Sequence, residues 1–118
     1  MQLRKKQLSR NIPTMIKAIV KKPKTAEEIK EFRNINEVYR EISINENVAF
    51  ETFSGKLNIG MYYHDDGYYS GRSPNIKFHG FIVYGNIVFV GLDDEGIVKK
   101  LTNKQIAFVK NYLDHNSL

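Results

Sequence analysis

The fold is decided by the stretch Phe81-Ile82-Val83-Tyr84-Gly85-Asn86-Ile87-Val88-Phe89-Val90. It contains two runs of four apolar residues rich in β-branched and aromatic side chains, the residue types that favour strands. Gly85-Asn86 separates the runs, and the sequence leaves open whether this pair forms a turn or a bulge. No apolar run in the chain is longer than these four residues, whereas a membrane helix needs about 20. The stretch therefore predicts two strands and no membrane span.

The residues downstream predict a turn followed by a C-terminal helix. Asp93-Asp94-Glu95-Gly96 has the composition of a turn. Thr102 and Gln105 have the spacing of a capping box, in which the hydroxyl and the amide satisfy backbone donors at a helix start. The helix that follows has an apolar stripe at spacings of three and four residues, formed by Ile106, Val109, Tyr112 and Leu113.

The residues upstream predict the rest of a sheet. Residues 15–20 are apolar and rich in strand formers, and Pro23 ends the run because proline cannot continue a strand ladder. Residues 48–53 and 57–61 alternate around Ser54-Gly55, as expected of a hairpin. Residues 25–32 fit either a helix start or a short exposed strand. Asn34 or Asn36 is expected to cap a helix that extends to about Ile42.

Together these elements predict an α+β fold, with a small, mostly antiparallel sheet packed by one or two helices, including the C-terminal helix. The 118 residues leave room for one domain, which we assign to residues 15–118. Residues 62–77 contain Gly67, Gly71 and Pro74 and are predicted to form a loop. Cysteine is absent, which excludes disulfides, thiolate metal sites and cysteine nucleophiles.

The positive charge is concentrated at the N-terminus. The formal net charge is +5, and residues 1–14 contribute Arg4, Lys5, Lys6 and Arg10 without any acid. These residues form a basic extension, and translation from Met15 would remove it. Two interpretations remain open: an arm that contacts phosphate, or an extension without a role.

Several short motifs outside the predicted loop form one pattern. They are the basic first strand at residues 15–23, Gly55-Lys56-Leu57, Tyr84-Gly85-Asn86-Ile87-Val88-Phe89-Val90-Gly91, Asp93-Asp94-Glu95-Gly96 and Leu101-Thr102-Asn103-Lys104-Gln105-Ile106. Over about residues 15–113 this pattern resembles a small domain-of-unknown-function family carried by phages, plasmids and conjugative elements of bacteria. The resemblance implies a setting in the bacterial cytoplasm and no defined activity. Small proteins of such elements often bind and inhibit a host protein or ribonucleoprotein, including CRISPR or restriction components.

The most unusual composition lies in the stretch Tyr62-Tyr63-His64-Asp65-Asp66-Gly67-Tyr68-Tyr69-Ser70-Gly71-Arg72-Ser73. Four of the seven tyrosines fall within eight positions, and tyrosine offers a large contact area with few torsions to restrict. The stretch therefore predicts a partner-binding loop, with candidate residues Tyr62, Tyr63, His64, Asp65, Asp66, Tyr68, Tyr69 and Arg72. The alternative is that Tyr62 and Tyr63 finish a strand while Tyr68 and Tyr69 cover the sheet.

A second hypothesis is nucleic-acid binding by an accessory protein. The tyrosines could stack on unpaired nucleobases, and basic residues near the N-terminus could contact phosphate. These candidates are Arg4, Lys5, Lys6, Arg10, Lys21, Lys22 and Lys24. Asp65 and Asp66 count against this hypothesis because they would repel a nucleic-acid backbone.

Metal binding and catalysis have weaker support in the sequence. His64, Asp65, Asp66 and His79 are metal-type ligands, but the histidines are fifteen positions apart rather than paired on one element. No nucleophile elbow or phosphate loop is present. We therefore expect a non-catalytic binding protein with no metal or cofactor. A small enzyme or nucleotide binder would instead require a pocket that holds His64 or His79 with a convergent acid.

Overall fold

The computed structural model describes residues 15–44 and 47–118, and these residues form eight strands and two helices. The strands are β1 (Ile16–Lys21), β2 (Glu28–Phe32), β3 (Val48–Ser54), β4 (Ile59–His64), β5 (Pro74–Phe78), β6 (Phe81–Tyr84), β7 (Ile87–Leu92) and β8 (Val98–Lys99). The helices are α1 (Ile35–Ile42) and α2 (Asn103–Asn116). The basic extension at residues 1–14 lies outside the described residues.

Six strands form the main sheet, and β5 and β6 form a separate hairpin. The order of the main sheet is β2-β1-β7-β4-β3, and β8 pairs with the C-terminal end of β7. Every pairing is antiparallel. The predicted α+β class, the mostly antiparallel sheet and the C-terminal helix are therefore confirmed.

Strand β7 lies in the middle of the main sheet, and its side chains are therefore buried on both faces. Phe89 pairs with Ile19 of β1 and with Met61 of β4, and this row faces α2 and the β5–β6 hairpin. Val88 points to the opposite face and belongs to the core that α1 covers. A continuous apolar run suits such a position, since both faces of the strand are covered.

The helix caps follow from the sequence. The Asn34 side chain accepts a hydrogen bond from the Glu37 amide at the start of α1, so Asn34 rather than Asn36 is the cap. Thr102 and Gln105 form the predicted capping box of α2. Residues 28–32 form a strand, which decides between the two interpretations of that segment. Neither described helix combines the length and apolar character that crossing a membrane requires.

Gly85 and Asn75 connect the hairpin to the main sheet. Gly85 has a φ of +85°, a conformation that favours glycine, and it forms the corner between β6 and β7 rather than a hairpin turn. The buried Asn75 side chain donates to the carbonyl oxygens of Lys21 (2.8 Å) and Gly85 (2.7 Å). These bonds hold the β5–β6 hairpin against one end of β1.

Candidate functional site

The tyrosine-rich stretch divides between a strand and a turn segment. Strand β4 continues to His64, so the prediction that residues 62–77 form one loop is wrong at its start, and β5 makes it wrong at its end. Tyr62 is 8% exposed and His64 is 5% exposed, while Tyr63 is half-buried. The structure therefore does not present Tyr62 and His64 on the surface.

Tyr62 is buried because β4 lies between β3 and β7. Tyr62 pairs with Val88 of β7, on the sheet face that α1 covers. Its ring contacts the rings of Tyr39 (centroids 5.6 Å apart) and Phe50 (4.8 Å). Burial, with a smaller contribution from Tyr39, raises the pKa of Tyr62 to about 12. For this residue the alternative interpretation, that it finishes a strand, is confirmed.

The turn segment, residues 65–73, packs on the end of β6 through Gly67. The Asp66 amide donates to His64 Nδ1 (3.0 Å), and the Arg72 amide donates to the Gly67 carbonyl (3.0 Å). A Cβ on Gly67 would lie 2.8 Å from the Tyr84 carbonyl oxygen, so only glycine allows this approach. The segment is therefore fixed by its own turns and by contact with β6.

Four large aromatic or aliphatic side chains are exposed in this turn segment and on the neighbouring strand β6. Their exposed fractions are 63% for Tyr68, 84% for Tyr69, 67% for Phe81 and 42% for Ile82. The Tyr68 ring contacts both Tyr69 (5.0 Å) and Tyr84 (5.2 Å) edge to face, which links the turn segment to the hairpin. We call Tyr68, Tyr69, Phe81 and Ile82 the aromatic surface.

The aromatic surface borders a cleft of about 320 Å³ between the end of the β3–β4 hairpin and the β5–β6 hairpin. Its walls are mainly aromatic and aliphatic, formed by Tyr63, Tyr68, Phe78, Phe81, Ile82 and Tyr84. We call it the aromatic cleft. Glu51, His64 and Asp65 are the titratable groups that line it besides the tyrosines. A concave apolar site with a few polar groups is the usual form of a ligand pocket.

The polar groups of the aromatic cleft are held in defined positions. The Tyr63 hydroxyl donates to Glu51 Oε1 at 2.9 Å. Burial raises the pKa of Tyr63 to about 12, and the hydrogen bond to Glu51 adds to the shift. Burial lowers the pKa of His64, and the positive charge of Arg72 adds to this effect. Both groups are therefore neutral near pH 7.

The histidines predicted as possible ligands lie in different environments. His79 and Gly80 form the two-residue turn between β5 and β6, with φ values of +48° and +83°, and His79 does not line the aromatic cleft. Among residues 15–44 and 47–118, no three His, Asp or Glu side chains are grouped to hold a metal ion. His64 does share the cleft with Glu51 and Asp65, as the enzyme hypothesis requires, but no described hydrogen bond joins it to either carboxylate.

The basic candidates divide into buried, exposed and undescribed residues. Lys21 is 2% exposed, and its ammonium donates to the carbonyl oxygen of Lys22 (2.9 Å) and to Asn75 Oδ1 (3.1 Å). The structure therefore does not present Lys21 to phosphate. Lys22 and Lys24 are exposed. The candidates Arg4, Lys5, Lys6 and Arg10 lie outside the described residues.

Sequence reasoning found part of this site. It identified Tyr63, His64, Asp65, Tyr68 and Tyr69 as candidates, and the structure places all of these except Tyr69 in the lining of the aromatic cleft. Arg72 is partly buried, with its stem against Gly85 and its guanidinium donating to Ser70 Oγ (2.6 Å).

Glu51 and the exposed residues of β6 were not predicted as site residues. Phe81 and Ile82 belong to an apolar run whose pattern indicates a strand but not which of its side chains are exposed. Glu51 reaches the site through the pairing of β3 with β4, where it lies opposite Met61.

Comparisons with known proteins returned no match: no family model, no curated protein and no solved structure is similar to this chain. The resemblance to a small protein family carried by mobile elements therefore stays a prediction.

Proposed function

We propose that this chain is a non-catalytic binding protein that engages a partner protein through the aromatic surface. The observation that carries the proposal is that Tyr68, Phe81 and Ile82 line one cleft and that the Tyr69 ring contacts Tyr68 beside it. All four side chains are 42% to 84% exposed. Exposed apolar groups are common singly, but a contiguous patch on a small protein is typical of an interaction site. Tyrosine and phenylalanine are also among the residues enriched at protein interfaces.

The rings of the aromatic surface that belong to the turn segment are held in place by contacts within the chain. Edge-to-face contacts among Tyr68, Tyr69 and Tyr84 hold the rings before any partner arrives. Less side-chain entropy is then lost on binding, which is the main advantage of a preorganised surface. By occupying a surface of the partner, the chain would block that surface without any chemical step.

The setting of this function rests on the sequence resemblance alone. The resemblance implies a product of a mobile element in the bacterial cytoplasm, with a partner among host proteins or ribonucleoproteins such as CRISPR or restriction components. An inhibitor of host defence is the function that combines this setting with the aromatic surface.

Nucleic-acid binding is the alternative, and the aromatic surface supports it less well. No lysine or arginine of the described ranges lines the aromatic cleft, whereas Glu51 and Asp65 do. A site that follows a phosphate backbone needs cations beside its stacking rings.

Affinity capture from a bacterial lysate, with and without nuclease, tests the proposal. We compare the full chain, the double variant Tyr69→Ser/Phe81→Ser and the control Ile97→Ser, which removes a 59% exposed side chain from the Asp93–Gly96 turn region. We expect a stoichiometric protein that survives nuclease, is retained by Ile97→Ser and is lost with the double variant. Partners that vanish with nuclease would favour the nucleic-acid alternative. A partner that both variants retain equally would show that binding occurs elsewhere.

A further inference from the structure

The aromatic cleft has a charge opposite to that of the whole chain. The chain carries a formal net charge of +5. Of the described residues, those lining the cleft include the carboxylates of Glu51 and Asp65 and no lysine or arginine. His64 does not offset this charge, because burial lowers its pKa and keeps the imidazole neutral near pH 7. Arg72 lies close enough to lower the pKa of His64, but its guanidinium donates to Ser70 Oγ and does not line the cleft. Among the described residues, the cleft lining therefore has two carboxylates, aromatic walls and no cationic side chain, on a basic protein.

We propose that the aromatic cleft holds an arginine side chain of the protein partner, an inference that rests on the proposed function. A guanidinium group is planar, stacks on aromatic rings and donates several hydrogen bonds in a fork that matches carboxylates. The cleft offers both features, with Tyr68, Phe81 and Tyr84 in its walls and Glu51 and Asp65 in its lining. The occupant is a cation that also tolerates an apolar environment.

The size of the cleft favours a single side chain over a larger ligand. Its volume of about 320 Å³ lies at the lower end of the range of roughly 300–1,000 Å³ for small-molecule sites. The apolar stem of an arginine would lie against Ile82 and Phe78, while its charged end meets the carboxylates. A compact ammonium would satisfy the carboxylates but would use the flat aromatic walls less fully.

Glu51 is already oriented for this role. The Tyr63 hydroxyl donates to Glu51 Oε1 at 2.9 Å, which restricts the side chain. An ionised carboxylate has about four lone-pair sites, so the other positions stay available to a guanidinium. Hydrogen bonds between ionised partners are about twice as strong as neutral ones. Loss of the Glu51 charge should therefore weaken binding of a guanidinium more than binding of a neutral analogue.

The first test uses two small probes on the full chain. N-acetyl-arginine methylamide carries the guanidinium, and N-acetyl-citrulline methylamide is a neutral group of nearly the same shape. In NMR titrations we expect the arginine probe to shift the amides of cleft-lining residues and the citrulline probe to bind at least about tenfold more weakly. Equal binding of the two probes, shifts centred elsewhere, or no shift at millimolar arginine probe would overturn the inference.

The second test separates the site from general charge attraction. Glu51→Gln keeps an acceptor for the Tyr63 hydroxyl, and Glu95→Gln makes the same charge change in an exposed turn. We expect Glu51→Gln to weaken binding of the arginine probe by about tenfold, and Glu95→Gln to leave it nearly unchanged. Equal weakening by the two variants would show non-specific attraction and would contradict the inference.

Capture of the partner distinguishes failure of this inference from failure of the proposed function. If Tyr69→Ser/Phe81→Ser abolishes capture while Glu51→Gln leaves it unchanged, the binding function holds and the arginine inference is wrong. If Glu51→Gln also reduces capture, while Glu95→Gln does not, both are supported. If the arginine probe binds the cleft but no variant alters capture, the proposed function fails, and the assignment of the cation to a partner fails with it.

Discussion

The pairs Tyr62-Tyr63 and Tyr68-Tyr69 have the same composition and lie close in sequence, but Tyr62 and Tyr69 occupy opposite environments. Tyr62 is 8% exposed, whereas Tyr69 is 84% exposed. The first pair belongs to β4, which has β3 and β7 as neighbours, and α1 covers the face on which Tyr62 lies. The second pair belongs to a turn segment that is not part of either sheet. The comparison shows that the position in the sheet and the face on which a side chain lies, and not local composition, decide which tyrosines are available to a partner: Tyr62 faces the core, whereas Tyr63 of the same strand lines the aromatic cleft.

The two pairs also differ in what their rings stabilise. The Tyr62 ring contacts Tyr39 and Phe50 and fills the core beneath α1. The Tyr68 and Tyr69 rings contact each other and Tyr84 at the surface. Tyr62 should therefore matter for stability and the pair Tyr68-Tyr69 for binding, while Tyr63 lines the aromatic cleft.

Replacing one tyrosine of each pair by alanine should give the largest difference in the free energy of unfolding. Tyr62→Ala removes a buried ring from the core and should lower the free energy of unfolding by about 3–5 kcal/mol. Tyr69→Ala removes an exposed ring and should change it by no more than about 0.5 kcal/mol, while reducing partner capture. Urea unfolding of the two variants measures both values. Similar losses would mean that Tyr69 is packed in solution and would contradict the comparison.

Replacing the two glycines of the turn segment by alanine should give a smaller difference in the free energy of unfolding. Gly67→Ala would place a Cβ 2.8 Å from the Tyr84 carbonyl oxygen, so backbone must shift, and we expect a loss of about 2 kcal/mol. Gly71 has a φ of +81° but open space around it, so Gly71→Ala should cost only about 1 kcal/mol.

Thermal or urea unfolding of Gly67→Ala and Gly71→Ala checks this order. Because Gly67 lies where the turn segment meets β6, its replacement should also displace Tyr68 from Tyr84 and weaken partner capture. If Gly71→Ala were the more destabilising, the contact between Gly67 and Tyr84 would not be what holds the turn segment.

The sequence predicted the elements that depend on local signals. The capping box of α2, a helix cap at one of the two candidates Asn34 and Asn36, and a hairpin near Ser54-Gly55 follow from short-range chemistry and are confirmed. The turn of that hairpin spans residues 55–58, so the second strand begins at Ile59 rather than at Leu57. The role of Gly85 was left open because a corner between two sheets depends on the position of both sheets, which local sequence does not encode.

The candidate site was predicted only in part, for a related reason. Tyrosine, glycine and aspartate indicate a loop by composition, and this signal hid the continuation of β4 through Tyr62, Tyr63 and His64. Glu51 and Phe81 come from strands that are distant in sequence and meet the turn segment only in the folded chain. The sequence indicated that Lys21 is a surface cation, because a lysine is seldom fully buried. In the structure Lys21 is buried, and Asn75 provides a buried acceptor for its ammonium group.

The dependence of stability on alkaline pH tests the burial of Tyr62. The pKa of Tyr62 rises from 10.0 to about 12 in the folded protein, mainly because of burial. Below pH 10 the phenol is protonated in both states and its contribution to stability is complete. Between pH 10 and 12 the unfolded chain ionises while the folded chain does not, so stability is lost as pH rises through the folded pKa. At about pH 11 this loss should be about 1.4 kcal/mol.

The variants Tyr62→Phe and Tyr69→Phe make the measurement specific to one ring. Urea unfolding near neutral pH and at about pH 11 gives the loss for each, and the contribution of Tyr63 is common to both. Tyr69→Phe retains the buried phenol and should keep the full alkaline loss, whereas Tyr62→Phe should lose about 1.4 kcal/mol less than the unmodified chain. An identical pH dependence in both variants would mean that Tyr62 is hydrated in solution. Tyr62 and Tyr69 would then share one environment, and the division between a structural tyrosine and a binding tyrosine would no longer hold.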